Sequence, residues 1–357
     1  MVDFKLKSIN SDFEVEEIPL IPQLLFEQTS CYTYLWIEKS GFTTFEAEDI
    51  IKNYFKVHYS DIAAQGLKDE NAKTRQILSI KKILSTKDLS SFNSNKYQDN
   101  KSLKIEKIIG LGNEPVYERS LHGNSFKITI RNLDQEIATD LYNFSVNNRP
   151  VSFINYYDMQ RFGMDGGPYN TDSIGKAIIE NDWKNVYLEF KKTQNSSLEG
   201  DISQEKITSK NQFKAFFEKI NPKKLSFFIS SYNSRLWNMK ASTELQKLNK
   251  GKLVDFKNVG VLFFPRHHNF ISHAFCYVKG YAFSGKEFKA HKKVKNRSLL
   301  VTTTVFPEKV QNDEIFKNKY KIRISFILPT GSYATMIIKQ IFLMIEHNKR
   351  IQKLINN

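Results

Sequence analysis

Residues 126–131 read Phe-Lys-Ile-Thr-Ile-Arg, with apolar and polar side chains in strict alternation. Successive side chains of a strand point to opposite faces, so Phe126, Ile128 and Ile130 share one face and Lys127, Thr129 and Arg131 the other. Such a strand belongs to an antiparallel sheet with one face on a core and one in water. The expectation is therefore a half-buried strand with a basic outer face, entered from a turn at residues 123–126. Residues 12–18, Asp-Phe-Glu-Val-Glu-Glu-Ile, alternate in the same way up to Pro19, and on pattern alone Phe13 is a core residue of an ordinary edge strand. Residues 32–37, 103–109, 298–306 and 319–328 are further strand-like runs.

Helical spacing fills the intervals. Thr43 and Glu46 form a capping box, followed by Ala47, Ile50, Ile51, Tyr54 and Phe55 on one face. A helix begins at Asp134 and shows Ile137, Leu141 and Phe144. From about residue 173 the texture turns helical and rich in Lys and Asn, over 174–190, 204–220 and 234–248. The last helix buries Met336, Ile337, Ile341, Met344 and Ile345 and ends on Lys349, Arg350 and Lys353, where the dipole favours cations. Residues 85–101, rich in Ser, Asn, Asp and Lys, read as a long exposed connection. A chain of 357 residues has room for two domains.

Fifty-three Lys and Arg against 38 Asp and Glu give +15, which favours a polyanionic partner such as nucleic acid. The 28 Phe and 16 Tyr suffice for a core and for stacking on bases. Two cysteines, Cys31 and Cys276, exclude a disulfide framework and suggest a reducing compartment. The N-terminal residues show no apolar signal region, and the most apolar late segment, 336–345, is broken by Lys339 and Gln340. A soluble, cytoplasmic protein with no membrane partner is expected. His267, His268 and His273 lack a Cys or carboxylate at tetrahedral spacing, so no metal is expected. Gly163, Gly166 and Gly167 have neither the Lys-Ser/Thr of a phosphate loop nor dinucleotide-fingerprint spacing.

The stretch with chemistry in it is 65–76, Gln-Gly-Leu-Lys-Asp-Glu-Asn-Ala-Lys-Thr-Arg-Gln, between two short apolar runs. Gly66 and the cluster Asp69-Glu70-Asn71 read as loop residues joining two strands. Asp69 sits there among Lys68, Lys73 and Arg75, and nearby cations favour the ionised carboxylate that a nucleophile or base requires. On composition alone, a solvated turn is the commoner reading of such a loop.

Four sets of residues together resemble one family. They are Lys7 with Asp12, Phe13, Val15 and Glu16; Gly66-Leu67-Lys68-Asp69 with Ala72, Thr74 and Gln76; Asn155-Tyr156-Tyr157 with Gln160-Arg161-Phe162-Gly163; and Leu328-Pro329 with Gly331-Ser332-Tyr333-Ala334-Thr335. Their order and spacing resemble the motifs of the TruD-type tRNA pseudouridine synthases. Two departures stand out. Asp158 replaces a usual Gly, and Asp tolerates positive φ if that Gly had it. In a Ser-x-Leu-Phe-Asn element, matched partly by Ser234, Leu236, Trp237 and Asn238, Asn233 stands where an Arg is usual.

The resemblance implies an α+β fold, a mixed, largely antiparallel sheet with flanking helices carrying an inserted second α+β domain. The catalytic domain would be split over 1–178 and 298–357, with 179–297 as the insert and RNA between the two. It implies isomerisation of a uridine in tRNA, uridine 13 of the D arm being the usual bacterial target, with Asp69 as the nucleophile on a flipped-out nucleotide. Phe13 and Tyr333 would pack on that nucleotide, Asn155 would hydrogen-bond near it, Tyr157 would hold a position often taken by Phe, and Lys7 would be the cation of the site. The reaction needs no cofactor, and a monomer acting on tRNA is expected. Two alternatives are a catalytically inactive protein binding structured RNA and a metal-dependent nuclease using Asp69 and Glu70.

Overall fold

The computed structural model describes residues 3–20, 30–97, 101–117, 121–147, 150–163, 167–192, 209–218, 222–248, 250–266 and 275–355. Its strands are β1 (Phe13–Pro19), β2 (Tyr32–Ser40), β3 (Ile62–Ala64), β4 (Lys73–Ile80), β5 (Ser102–Gly112), β6 (Leu121–Leu133), β7 (Val151–Ile154), β8 (Gly251–Phe256), β9 (Gly260–Pro265), β10 (Phe275–Ser284), β11 (Lys289–Ser298), β12 (Leu300–Thr303), β13 (Phe306–Pro307), β14 (Gln311–Asn312) and β15 (Tyr320–Pro329). Its helices are α1 (Thr44–Phe55), α2 (Thr86–Asn93), α3 (Gln135–Asn147), α4 (Thr171–Ile179), α5 (Trp183–Lys192), α6 (Lys210–Glu218), α7 (Pro222–Leu248) and α8 (Ala334–Ile355). The class is α+β, with a mixed, mostly antiparallel sheet.

Two compact units form. The first spans residues 1–151, 302–334 and 338–357, the second 152–301 and 335–337. The expected insert, 179–297, falls inside the second unit, which also takes in 152–178 because α4 packs along α7.

The first unit is built on a nine-stranded sheet in the order β13-β15-β6-β1-β4-β2-β5, with β14 on β15 and β3 on β4. Among the described residues of this sheet, only the β1–β4 pair is parallel. The alternation of 126–131 is realised in β6, but its outer face is not simply wet. Lys127 is exposed, whereas Thr129 and Arg131 are buried. Arg131 donates to Asp12, Asp313 and Glu314, three carboxylates from two segments of the chain. The expected turn at 123–126 is strand as well. Gly123 pairs with Ile18 on one side and Pro329 on the other, and a Cβ there would run into the Leu328 carbonyl.

Helix α1 carries its capping box as the sequence indicates, Thr43 Oγ1 accepting from the Glu46 amide and Glu46 from the Thr43 amide. Its Ala47, Ile51 and Phe55 enter a core with Leu35, Ile37, Leu78 and Ile105. The supposed connection at 85–101 contains α2. Ser85 and Asp88 make a reciprocal cap, and Leu89 and Phe92, three residues apart, bury one stripe in that same core. Toward the other end of the sheet, Lys349 of α8 pairs with Glu136 and Asp140 of α3.

The second unit centres on α7, with α4, the hairpin β10–β11 and β9 packed against it and α5 against α4. Its core joins Ile174, Trp183, Phe190, Phe217 and Phe228. Among the described residues no helix is long and apolar enough to cross a membrane.

Candidate active site

Loop 65–72 leaves β3, folds back over the start of β4 and is pinned from three sides. The Gln65 amide still bonds the Ile77 carbonyl, as a last rung of the β3–β4 ladder. The Lys68 amide donates to Thr44 Oγ1 at the first turn of α1, and Gln76 reaches back to the Gly66 carbonyl. Gly41 donates to the Glu70 carbonyl. The motif residue Gln76 and Thr44 of α1 thus hold the backbone of the loop through their side chains.

The most constrained contact comes from Lys39. Its side chain is fully buried, and Nζ donates to the carbonyls of Phe42 at 2.8 Å and Asp69 at 2.9 Å. Burial pulls its pKa down to about 8, against the opposing pull of the nearby Asp69. Carbonyl oxygens accept from the ammonium at short range, so Lys39 fixes the main chain at the residue that bears the carboxylate.

The cations adjacent to Asp69 in sequence are engaged elsewhere. Lys68 Nζ lies 2.5 Å from Glu17 Oε1 in a buried pair, Lys73 pairs with Glu38, and Arg75 with Glu16 and Glu106. The cation facing the carboxylate is Lys7, with Nζ 3.2 Å from Asp69 Oδ2. The Asp69 side chain is 28% exposed, so the pair is open to an incoming group. Lys7 has φ 59°, a left-handed conformation that costs a residue with a Cβ about 1–2 kcal/mol. The β-bridge at Lys5–Arg131 before it, and the 3-10 turn Asn10–Asp12 after it, hold the chain in that bend.

Phe13 lies under Lys7, whose Nζ is 4.5 Å from the ring centroid. The ring is 1% exposed and meets Phe126 edge to face, with Lys7 covering its other side. Asp12, its motif neighbour, is buried and spends both carboxylate oxygens on Arg131. Tyr333, half-buried, sits between the end of β15 and α8, just after Gly331 at φ 82°. That turn is tied to the sheet by Thr330, which donates to the Leu121 carbonyl, and the Leu121 side chain lies beside Gly66. Lys7, Phe13 and Asp69 are therefore in one cluster, with the Tyr333 turn anchored at the strand end that flanks their loop.

Asn155 and Tyr157 belong to the second unit and form a group there with a residue the motifs do not include. Arg297 donates through Nε to the Asn155 carbonyl at 2.8 Å and through a terminal nitrogen to Asn155 Oδ1 at 2.7 Å. Its guanidinium lies 4.0 Å from the Tyr157 ring centroid and 5.3 Å from that of Trp237. Asn155 also donates to the Ser298 carbonyl. Asn238 clips the Tyr157 backbone from both sides, accepting from its amide and donating to its carbonyl. Arg161 is held by Ser230 and Ser234 of α7. The partial Ser-x-Leu-Phe-Asn element is thus the helix face that supports the 155–163 loop.

Asn233, where an Arg is usual, bonds both backbone groups of Tyr281 in β10. Asp158 has φ −105°, so its position needs no glycine; its side chain caps the turn through the Met159 amide. Among the described residues no three His, Cys, Asp or Glu side chains gather as a metal set, and His267, His268 and His273 lie outside those residues.

A family profile described as tRNA pseudouridine synthase D (TruD) matches residues 2–206, more than half of the chain and including Lys7, Asp69 and Asn155. The chain belongs to the TruD family. Among curated relatives, tRNA pseudouridine synthase D of Leptospira interrogans is 26% identical over 95% of this chain and 96% of its own length. The protein of that name from Sulfurimonas denitrificans is 24% identical over 95% of each. A crystal structure from Methanosarcina mazei, bearing the name tRNA pseudouridine synthase D (TruD), superposes with a TM-score of 0.53 at 19% identity, covering 94% of this chain and 92% of that one. The TruD fold therefore extends over both units, and the enzyme class is that of the tRNA pseudouridine synthases.

Proposed function

We propose that this chain isomerises uridine 13 in the D arm of tRNA to pseudouridine, with Asp69 as the nucleophile. The observation that carries the reading is the Asp69 carboxylate, 3.2 Å from the Lys7 ammonium, on a loop whose main chain is gripped by the buried Lys39. The reaction breaks the bond from ribose C1′ to uracil N1, turns the freed base, joins C1′ to C5 and releases the C5 proton. An ionised carboxylate serves it by attacking C1′ or by removing the 2′ proton, and Lys7 keeps that charge beside the ribose.

The target must first leave its stack, at about a few kcal/mol. In this proposal Tyr333 and Phe13 pack on the extruded nucleotide, Lys7 shifting from the Phe13 ring as it enters. Asn155 and Tyr157 contact the RNA near the target, with Arg297 setting their geometry. Residues 179–297 are the inserted RNA-binding part.

Asp69→Asn tests the reading, because it keeps the shape and removes the charge. Tritium release from C5-labelled uridine in tRNA should fall below detection in single turnover, while tRNA binding stays within a small factor. Glu70→Gln should keep most of the activity. Undiminished release by Asp69→Asn would sink the assignment, and inactivity of Glu70→Gln alone would move it by one residue.

A further inference from the structure

Residues 275–298, less than a tenth of the chain, hold seven Lys or Arg against the single Glu287, a net +6 out of +15. They form the hairpin β10–β11, a two-stranded sheet in continuous register from Phe275↔Ser298 to Ser284↔Lys289. Directly opposed residues share a face. Cys276, Val278 and Gly280 lie on the face turned to α7 and are buried, Gly280 closing on the Asn233 side chain. The opposite face carries Tyr277, Lys279, Lys292, Val294 and Asn296, all exposed, with Tyr277 at 52% and Val294 at 65%.

Some surface lysines of this protein are paired with an acid, as Lys52 is with Asp49 and Lys319 with Asp134. Lys279 and Lys292 on the outer face, and Lys293 and Lys295 at strand positions of the other, have no acid partner among the described residues. Like charges gathered on one ribbon repel and weaken it, so this concentration is a cost to the hairpin itself. A polyanion laid across the ribbon removes that cost. We infer that the outer face of the β10–β11 hairpin is a docking surface for the phosphodiester backbone of the substrate tRNA, with Tyr277 presenting a ring to an unpaired base. The inference rests on the tRNA reading given above.

A competing use of edge-strand lysines is to block pairing with another chain. The two uses separate experimentally in the full-length protein. The double variant Lys279→Gln, Lys292→Gln keeps most of each aliphatic stem on the solvent side and removes two charges from the outer face. Its affinity for an unmodified tRNA transcript should drop about tenfold, and the slope of log affinity against log salt should shrink by about 1.4–1.8. The single-turnover rate at saturating tRNA should not change. The double Lys→Arg variant should restore both affinity and slope, and Lys292→Gln alone should lower the slope by about 0.7–0.9. An unchanged slope in the double Gln variant overturns the inference, and self-association with an unchanged slope assigns the lysines to edge protection instead. If the wild type binds tRNA with a steep slope yet forms no pseudouridine, the enzymatic reading fails while the slope comparison still decides the hairpin.

Discussion

Lys39, next to last in β2, is fully buried, its ammonium spent on the carbonyls of Phe42 and Asp69. Burial, the larger effect, lowers its pKa to about 8, and in the unfolded chain it returns to about 10.4. Between those values the unfolded state binds more protons, so stability rises with pH through that window; below pH 8 both states are charged and the burial cost is fully in force. The relief reaches at most about 3 kcal/mol. Urea unfolding of the wild type and of Lys39→Met, compared at pH 7 and pH 10, should show the wild type gaining on the variant at the higher pH. A constant difference between the two would mean that Lys39 does not change charge in the folded state. Tyr333 offers a second test at this scale. If its ring face packs on the base, Tyr333→Ala costs about 1–3 kcal/mol of transition-state binding in kcat/KM while Tyr333→Phe is mild; equal losses would give the hydroxyl a role.

Strand β1 and the Asp69 loop are joined by the pair Glu17–Lys68, and here the reading of sequence reaches its limit. The motif made Asp69 visible and placed it correctly on a loop between two strands. Lys68, Lys73 and Arg75 looked like its partners because they are neighbours in the chain, yet each crosses to a carboxylate on β1, β2 or β5. Lys7 supplies the facing charge from 62 positions away, and Arg297 reaches Asn155 from 142. Sheet pairing brings such residues together, and a period-2 pattern says which face a side chain takes but not which strand lies beside it. Glu17 was hidden for the same reason: the alternation fixes it on the core face with Phe13 and Val15, and only the arrival of Lys68 explains a carboxylate there. Burial raises the Glu17 pKa while Lys68 lowers it. Removing one partner strands the other charge in the interior, so Glu17→Gln should cost about 3–5 kcal/mol in chemical denaturation. The double change Glu17→Leu, Lys68→Met should recover most of that loss, and an additive double variant would show the two residues to be uncoupled.

The charge of the whole molecule is unevenly deployed. Arg131, Arg75 and Lys68 are consumed in ion pairs inside or along the nine-stranded sheet, where they hold strands and loops in place. The β10–β11 ribbon of the second unit, by contrast, carries a net +6 of the +15 in 24 residues. In the proposed reaction Asp69 adds a negative charge where a phosphate-bearing strand must approach, so chemistry and backbone affinity would place opposite demands on the protein and be met by different residues. Binding and catalysis should then respond differently to salt. With about 6–10 phosphates neutralised, tRNA affinity should fall about 10³–10⁵-fold between about 50 and 200 mM salt. The single-turnover rate at saturating tRNA should change little over the same range, because the partly covered Lys7–Asp69 pair at 3.2 Å is screened far less than the surface lysines. Filter binding and quenched single-turnover assays on one preparation measure both quantities. A nearly salt-independent affinity would remove phosphate contacts as the basis of recognition, and a rate falling in parallel with affinity would place the screened charges in the chemical step.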